Sequence, residues 1–319
     1  MPSEFDLIRR HFTRPAAHTE LAVGDDAALI APRAGMRLAV STDMLVAGTH
    51  FFADTDPEAL GWKTLAVNVS DLAAMGAEPR WALLALALPT ADEAWIAAFA
   101  RGLFAFAARF GVDLVGGDTT RGPLNLCVTA IGEVPAGEAV TRAGARAGDD
   151  LWVTGQPGRA ALGLAHLRGD VVLDADAATC CLDALTRPQP RVDAGLALRG
   201  IATAMLDVSD GLVGDLGHIL ECSNVGALLD AATLPLEPLL ATGADPRLAR
   251  RCLLAGGDDY ELLFSAPPSA RPSLAALQSR LGLPLNRIGT LTPDARQLVI
   301  READGTLRAP DARGYDHFA

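Results

Sequence analysis

A chain of 319 residues with a net charge of −12, half of it hydrophobic and 21% charged, has the balance of a folded globular protein and room for two ordinary domains. Its acidity argues against a nucleic-acid partner, because a phosphate backbone needs a basic face. The longest apolar runs, residues 81–88 and 94–100, fall short of the roughly 20 residues that span a bilayer, and the start MPSEFDLIRR does not read as a signal peptide, so no membrane partner and a cytoplasmic location are expected.

The first half alternates strand and helix signals. Residues 37–40 predict a short strand that runs into Ser41-Thr42-Asp43. A helix is expected over 57–75, with Leu60, Thr64, Val67 and Leu72 at helical spacing and Gly76 as its stop. Residues 81–88 read as a strand, and Thr90 to Glu93 as a capping box opening a helix that runs to Phe110 and stops at Gly111. Then come a strand at 112–115, a turn at 116–122 and a strand at 124–133. That order predicts an α+β domain of four strands and two long helices. The Gly-, Ala- and Arg-rich loop 135–148 is the best boundary, dividing the chain into domains 1–136 and 137–319.

The second half opens with a strand at 150–154. Helices follow near 158–167, 177–185 and 192–198, then a strand at 203–206 that runs into Asp207-Val-Ser-Asp-Gly211 and a helix to about residue 222. A helix near 247–254, a turn at 255–259, a strand at 260–264, a helix at 272–281 and two closing strands complete it. Asp149, Asp150 and Asp170 read as solvated turn charges. The five cysteines are odd in number, with no C-x-x-C and no nearby His pair, which argues against a disulfide framework and a zinc site.

One pattern recurs: apolar segments ending in Gly and Asp. The sites are Gly24-Asp25-Asp26, Ser41-Thr42-Asp43, Asn68-Val-Ser-Asp71, Gly116-Gly117-Asp118, Asp207-Val-Ser-Asp210 and Gly256-Gly257-Asp258-Asp259. Any one of them is most simply a turn. Six are harder to dismiss, because strand ends on one sheet edge tend to face one cleft. Converging carboxylates resist ionising unless a cation sits among them, and hard oxygen ligands without His or Cys select magnesium or a similar ion. Arg occurs 26 times but Lys only once, at Lys63, outside any G-x-x-x-x-G-K-[ST] loop. There is no protein-kinase H-R-D or D-F-G set and no G-x-S-x-G elbow. The pattern therefore points to a magnesium–nucleotide enzyme that uses aspartates where others use a phosphate-binding lysine.

With Ser41-Thr-Asp-Met-Leu-Val-Ala-Gly-Thr-His50, Ala66-Val-Asn-Val-Ser-Asp-Leu-Ala-Ala-Met-Gly76, Gly116-Gly-Asp-Thr-Thr-Arg-Gly-Pro123, Gly256-Gly-Asp-Asp-Tyr-Glu-Leu262 and Gly314-Tyr-Asp-His-Phe318, these motifs resemble, in order along nearly the whole chain, the thiamine-monophosphate kinase family. The resemblance implies a two-domain fold like that of the aminoimidazole ribonucleotide synthetases. In that fold an N-terminal four-stranded α+β domain pairs with its twin in a homodimer, and a C-terminal α+β domain closes the active site. It implies transfer of phosphate from ATP to thiamine monophosphate, with several magnesium ions as cofactor. It also implies site roles. Asp26, Ser41, Thr42, Asp43, Asp71, Asp118, Asp207 and Asp210 become metal ligands. Gly117, Asp118, Arg142 and Ser209 become ATP contacts, and His50, Asp258 and Tyr315 substrate contacts. Where the family often has Glu, this chain has Asp258, one methylene shorter with the charge kept.

Two residues keep two readings. His50 is either a strand-end histidine or a substrate contact, and Tyr315 either pins the tail by packing or stacks on a cationic ring. No residue is required as base or nucleophile, because the acceptor is a phosphate oxygen already largely deprotonated near neutral pH. Another ATP-using enzyme of the same superfamily, a metal-dependent phosphatase and a non-catalytic nucleotide sensor are the competing readings.

Overall fold

Strand and helix segments alternate in both halves of the chain. The computed structural model, which describes residues 3–311, 314 and 315, gathers them into two units, Met1–Leu72 with Ala77–Gly137, and Ala73–Gly76 with Glu138–Ala319. Asp316, His317 and Phe318 of the C-terminal motif lie outside the described residues.

The first unit starts with α1 (Glu4–Leu7) and a short antiparallel ribbon, β1 (Thr19–Leu21) and β2 (Leu29–Ile30). Then come β3 (Met36–Val46), α2 (Pro57–Ala74), β4 (Glu78–Leu88), α3 (Glu93–Phe110), β5 (Asp113–Arg121) and β6 (Asn125–Pro135). The four long strands form one sheet in the order β3-β6-β4-β5, with β4 and β5 parallel. Side chains alternate across it, as the two-residue strand period requires. Leu84, Leu86 and Leu88 of β4 and Leu126, Val128 and Ala130 of β6 are buried, whereas Leu38, Val40, Met44 and Leu83 are exposed. Helices α2 and α3 meet at two glycines. A Cβ on Gly61 would stand 2.0 Å from the Phe99 carbonyl oxygen, and one on Gly102 1.8 Å from that of Glu58, so neither position has room for a side chain.

Three local expectations are corrected here. Strand β3 does not end before Ser41; it pairs with β6 continuously from Met36 to Val46, so Ser41-Thr42-Asp43 lies mid-strand. Likewise 116–122 is no turn, because β5 continues beside β4 to Arg121. In both cases sheet pairing overrides the weak strand preference of Gly, Ser and Asp. The cap of α3 is Asp92, whose side chain accepts from the Ala94 and Trp95 N–H groups, rather than Thr90.

The second unit runs β7 (Asp150–Thr154), α4 (Arg159–Leu167), α5 (Ala175–Thr186), α6 (Val192–Leu198), β8 (Ala204–Val208), α7 (Leu212–Ser223) and β9 (Gly226–Asp230). It continues with α8 (Glu237–Leu240), α9 (Pro246–Ala255), β10 (Glu261–Ala266), α10 (Arg271–Leu281), β11 (Leu285–Thr292), β12 (Leu298–Arg301) and β13 (Leu307–Arg308). Its seven strands are ordered β13-β12-β9-β11-β7-β10-β8, and β12 runs parallel to β9. Leu151, Val153, Leu206, Leu216, Ile219 and Leu263 lie in its core. Asp149 and Asp150, expected as solvated, are buried at 5% and 1% exposure. Arg271 and Arg287 clamp Asp150 at 2.6 Å each, matching its charge inside the fold, and Asp149 accepts hydrogen bonds from the Arg146 N–H and the Thr203 hydroxyl. Among the described residues, no helix is long and apolar enough to cross a membrane.

Candidate active site

In the first unit, β3 supplies one half of the constellation and α2 the other. Ser41 and Asp43 are two residues apart and share a strand face; Asn68 and Asp71 are three apart and share a helix side. The two pairs interlock. The Ser41 hydroxyl donates to Asp71 Oδ2, and the Asp43 N–H donates to Asn68 Oδ1 at 2.9 Å. Asn68 is itself oriented by a bond from its Nδ2 to the Thr64 carbonyl at 3.2 Å. The mid-strand position of Ser41 and Asp43 therefore matters, because it is what sets them against the helix.

Thr42 points to the opposite sheet face. Its hydroxyl meets the Thr129 hydroxyl at 2.8 Å across β6, so the strand does not bring its side chain together with those of Ser41 and Asp43. Asp26 is exposed in the loop between β1 and β2, and its N–H donates to Asp25 Oδ1 at 2.9 Å. Gly117 has φ +148°, and a Cβ there would lie 1.8 Å from the Leu84 carbonyl oxygen. Only glycine fits, which lets the backbone of β5 run bare up to the exposed Asp118. His50 follows the end of β3. Its Nδ1 accepts the Val46 N–H at 3.0 Å, which fixes the ring against the strand end and leaves the proton of the neutral ring on Nε2.

The second unit gathers its residues around the end of β8. Asp207 is buried at 6% exposure within the strand, opposite Leu262 of β10. The chain then turns through Ser209 and Asp210 into α7. The Ser209 carbonyl accepts the Asp258 N–H at 2.8 Å, and the Asp210 carbonyl accepts the Tyr315 N–H at 2.9 Å. Asp258 sits at φ +67°, in the left-handed region, with its carboxylate accepting from the Tyr260 hydroxyl at 3.0 Å. Ser209, Asp210, Asp258 and Tyr315, far apart in sequence, are thus joined through backbone bonds. The side chain of Tyr315 is 54% exposed. Arg142 is exposed on a loop tied down by a bond from the Ser223 hydroxyl to its carbonyl at 3.1 Å.

Sequence reasoning missed Asp215. Its Oδ2 accepts the backbone N–H groups of Ser209, Asp210 and Gly211 at 3.0, 3.0 and 3.1 Å. Burial pushes its carboxyl up to about 7 against the pull of these bonds. An acid in the first turn after a Gly-ended strand loop was the available signal. The three N–H groups at the entry to α7 are satisfied from within, so this helix start is self-capped.

The donor set is carboxylate and hydroxyl oxygen throughout, and the one imidazole among the candidates has its Nδ1 engaged by backbone. Among the described residues, no three His, Cys, Asp or Glu side chains are gathered tightly enough to cage an ion. Magnesium does not ask for such a cage. It is held by one or two carboxylates and completes its octahedron with water and substrate phosphate, so the oxygen-only set fits it.

Comparison with known proteins follows the same division. The family descriptions AIR synthase related protein, N-terminal domain, and AIR synthase related protein, C-terminal domain, match residues 24–134 and 146–301. The thiamine-monophosphate kinase of Escherichia coli K12 is 47% identical, over 99% of this chain and 98% of that protein. That of Haemophilus influenzae is 39% identical over the same shares. Among solved structures, thiamine-monophosphate kinase from Stenotrophomonas maltophilia K279a superposes with a TM-score of 0.83 at 47% identity, covering 94% of each chain. AaThiL complexed with AMPPCP and TMP gives 0.76 at 28% identity, covering 98% of this chain and 96% of that one.

Proposed function

The chain belongs to the AIR synthase related family and, within it, to the thiamine-monophosphate kinases, and on that premise we propose that it moves the terminal phosphoryl group of ATP directly and in line onto thiamine monophosphate, as the last step of thiamine diphosphate formation. The observation that carries this reading is the 47% identity to the Escherichia coli enzyme over 99% of the chain.

Asp26, Asp43, Asp71 and Asp118, with Ser41 Oγ and an oxygen of Thr42, are the proposed magnesium ligands of the first unit, and Asp207 and Asp210 those of the second. Magnesium supplies positive charge that offsets the repulsion between a triphosphate and a phosphate acceptor. The chain's own residues do the placing. Ser41 and Asn68 hold Asp71 and the Asp43 backbone in register. Gly117 and Asp118 approach ATP with bare backbone and a carboxylate, and Arg142 and Ser209 contact it. His50, Asp258 and Tyr315 hold the acceptor, with the exposed Tyr315 ring suited to a cation–π contact with thiazolium. The shorter Asp258 starts from a left-handed backbone already tied to Ser209. No side chain takes a proton from the acceptor oxygen.

The exposed apolar sheet face, with Leu38, Val40, Met44 and Leu83, is the surface through which two copies pair as a homodimer. On this reading the protein acts in the cytoplasm, with neither nucleic acid nor membrane as partner. The reading is tested by incubating the protein with magnesium-ATP and thiamine monophosphate and separating the products. Thiamine diphosphate and ADP in equal amounts support it. ADP formed at the same rate without acceptor indicates a phosphatase, and no ADP indicates a sensor.

A further inference from the structure

A cavity of about 300 Å³ opens in the second unit, at the end of its sheet where the interior strand β7 ends and its neighbours β10 and β11 begin. None of the metal, ATP or substrate contacts proposed above lines it. Its polar groups are unevenly matched. Arg191 is spent, because its guanidinium makes a bidentate pair with Glu261, both bonds at 2.6 Å. Arg159 and Arg187 also line the cavity, and among the described residues neither guanidinium forms a hydrogen bond or an ion pair. The acceptors are unmatched too. Among the described residues, Gln156 Oε1 and Gln189 Oε1 are buried without a hydrogen-bond partner. The Gln189 amide cannot be turned round to cure this, because its Nε2 already donates to the Arg187 carbonyl at 2.9 Å, so its oxygen is fixed as an acceptor. The Asp183 carboxylate, also on the wall, has no ion pair among the described residues.

Buried acceptors left unmade are costly, and native proteins satisfy them with water or ligand. Two unpaired guanidiniums ask for an anion, while two amide oxygens and a carboxylate ask for N–H donors. One small molecule answers both demands if it carries an anionic group at one end and an ammonium at the other. A cavity of about 300 Å³ is at the lower end of the range for metabolite sites. We infer that this cavity is a second ligand site, which takes a small zwitterion with its anionic group on Arg159 and Arg187 and its ammonium on Asp183 and the amide oxygens of Gln156 and Gln189.

The anionic group can be a phosphate or a carboxylate, so two matched probes separate the sources. O-phosphoethanolamine and β-alanine both carry an ammonium two carbons from the acid group or its ester oxygen. Binding is read by calorimetry on the full chain with a non-hydrolysable magnesium–ATP analogue present, which occupies phosphate subsites elsewhere. Inorganic phosphate and ethanolamine, each with half of the ligand's chemistry, are the controls. The expected result is that one zwitterion binds at least about tenfold more tightly than either half, with the preferred acid group naming the source. Arg159→Ala/Arg187→Ala then loses the binding, and Gln189→Leu brings the zwitterion down to the level of the anion alone. Turnover of ATP and thiamine monophosphate by both variants reports that the chain is folded. Binding no tighter than that of the halves, or unchanged in folded Arg159→Ala/Arg187→Ala, overturns the inference and leaves the cavity to water.

Discussion

Asp215 Oδ2 accepts the backbone N–H of Asp210 at 3.0 Å, and the same oxygen takes those of Ser209 and Gly211. One buried carboxylate thus shapes the loop that carries two proposed site residues. Asp215→Ala leaves three donors without that acceptor. It is expected to lower kcat/KM for ATP by about 100-fold, with a destabilisation of about 1–3 kcal/mol. Asp215→Asn keeps an acceptor oxygen and is expected to lose only about tenfold. Steady-state kinetics with ATP varied, beside thermal melts, check this; equal losses in the two variants contradict the account.

Gly117 makes a sharper case. With φ +148° and no room beside Leu84, Gly117→Ala must move β5 away from β4. A destabilisation of about 3 kcal/mol is expected, with weakened ATP binding in the protein that still folds. Denaturant unfolding measures the first effect and ATP titration the second. A variant as stable as the parent shows that the strand yields at this point.

The two glycines also show where sequence reading succeeds and where it stops. Gly116-Gly117-Asp118 was legible as a site, but as a turn, because Gly is a turn residue locally and becomes a strand residue only when β4 and β6 are in place. Ser41-Thr42-Asp43 likewise looks like a strand end from its local residues. Helices α2 and α3 were legible, since the apolar spacing of the one, the capping residues of the other and the glycine stops of both are local signals, and α7 was legible to about its last turn. Strand β9 was not, because Gly226–Asp230 is five residues long and is defined by its partners β11 and β12. The same holds for residues. Asp43 and Asp71 stand out as carboxylates in motifs, whereas Asn68 and Asp215 do their work through bonds that sequence does not display.

Asp150 gives a pH dependence. Burial alone would raise its pKa, but hydrogen bonds and charge from Arg271 and Arg287 outweigh that and hold it below the ordinary aspartate value. A depressed carboxyl stabilises the fold above its unfolded pKa, near 4, and that contribution is lost as pH falls through the still lower folded value. Asp150→Asn is therefore expected to cost about 2 kcal/mol near pH 7 and progressively less below about pH 4. Melting temperatures of the two proteins across pH check it, and a pH-independent gap contradicts it.

Pairing through the open sheet face is tested at Val40, which is 62% exposed in the middle of β3. Val40→Asp places a charge on that face without touching the buried side of the strand. It is expected to convert dimers to monomers in light scattering, with the fold retained by circular dichroism. A variant that remains dimeric places the interface elsewhere.

In the proposed mechanism aspartate-held magnesium does the work a lysine does in other nucleotide enzymes, and Asp71 tests this most directly. Asp71 receives the Ser41 hydroxyl, and an amide in its place can still take part in that contact, so Asp71→Asn removes charge while sparing the local packing. The decisive measurement is thiamine diphosphate formation by Asp71→Asn at saturating ATP across a magnesium titration. Turnover is expected to be abolished at ordinary magnesium. Near-normal turnover there would contradict the assignment of Asp71 as a metal ligand.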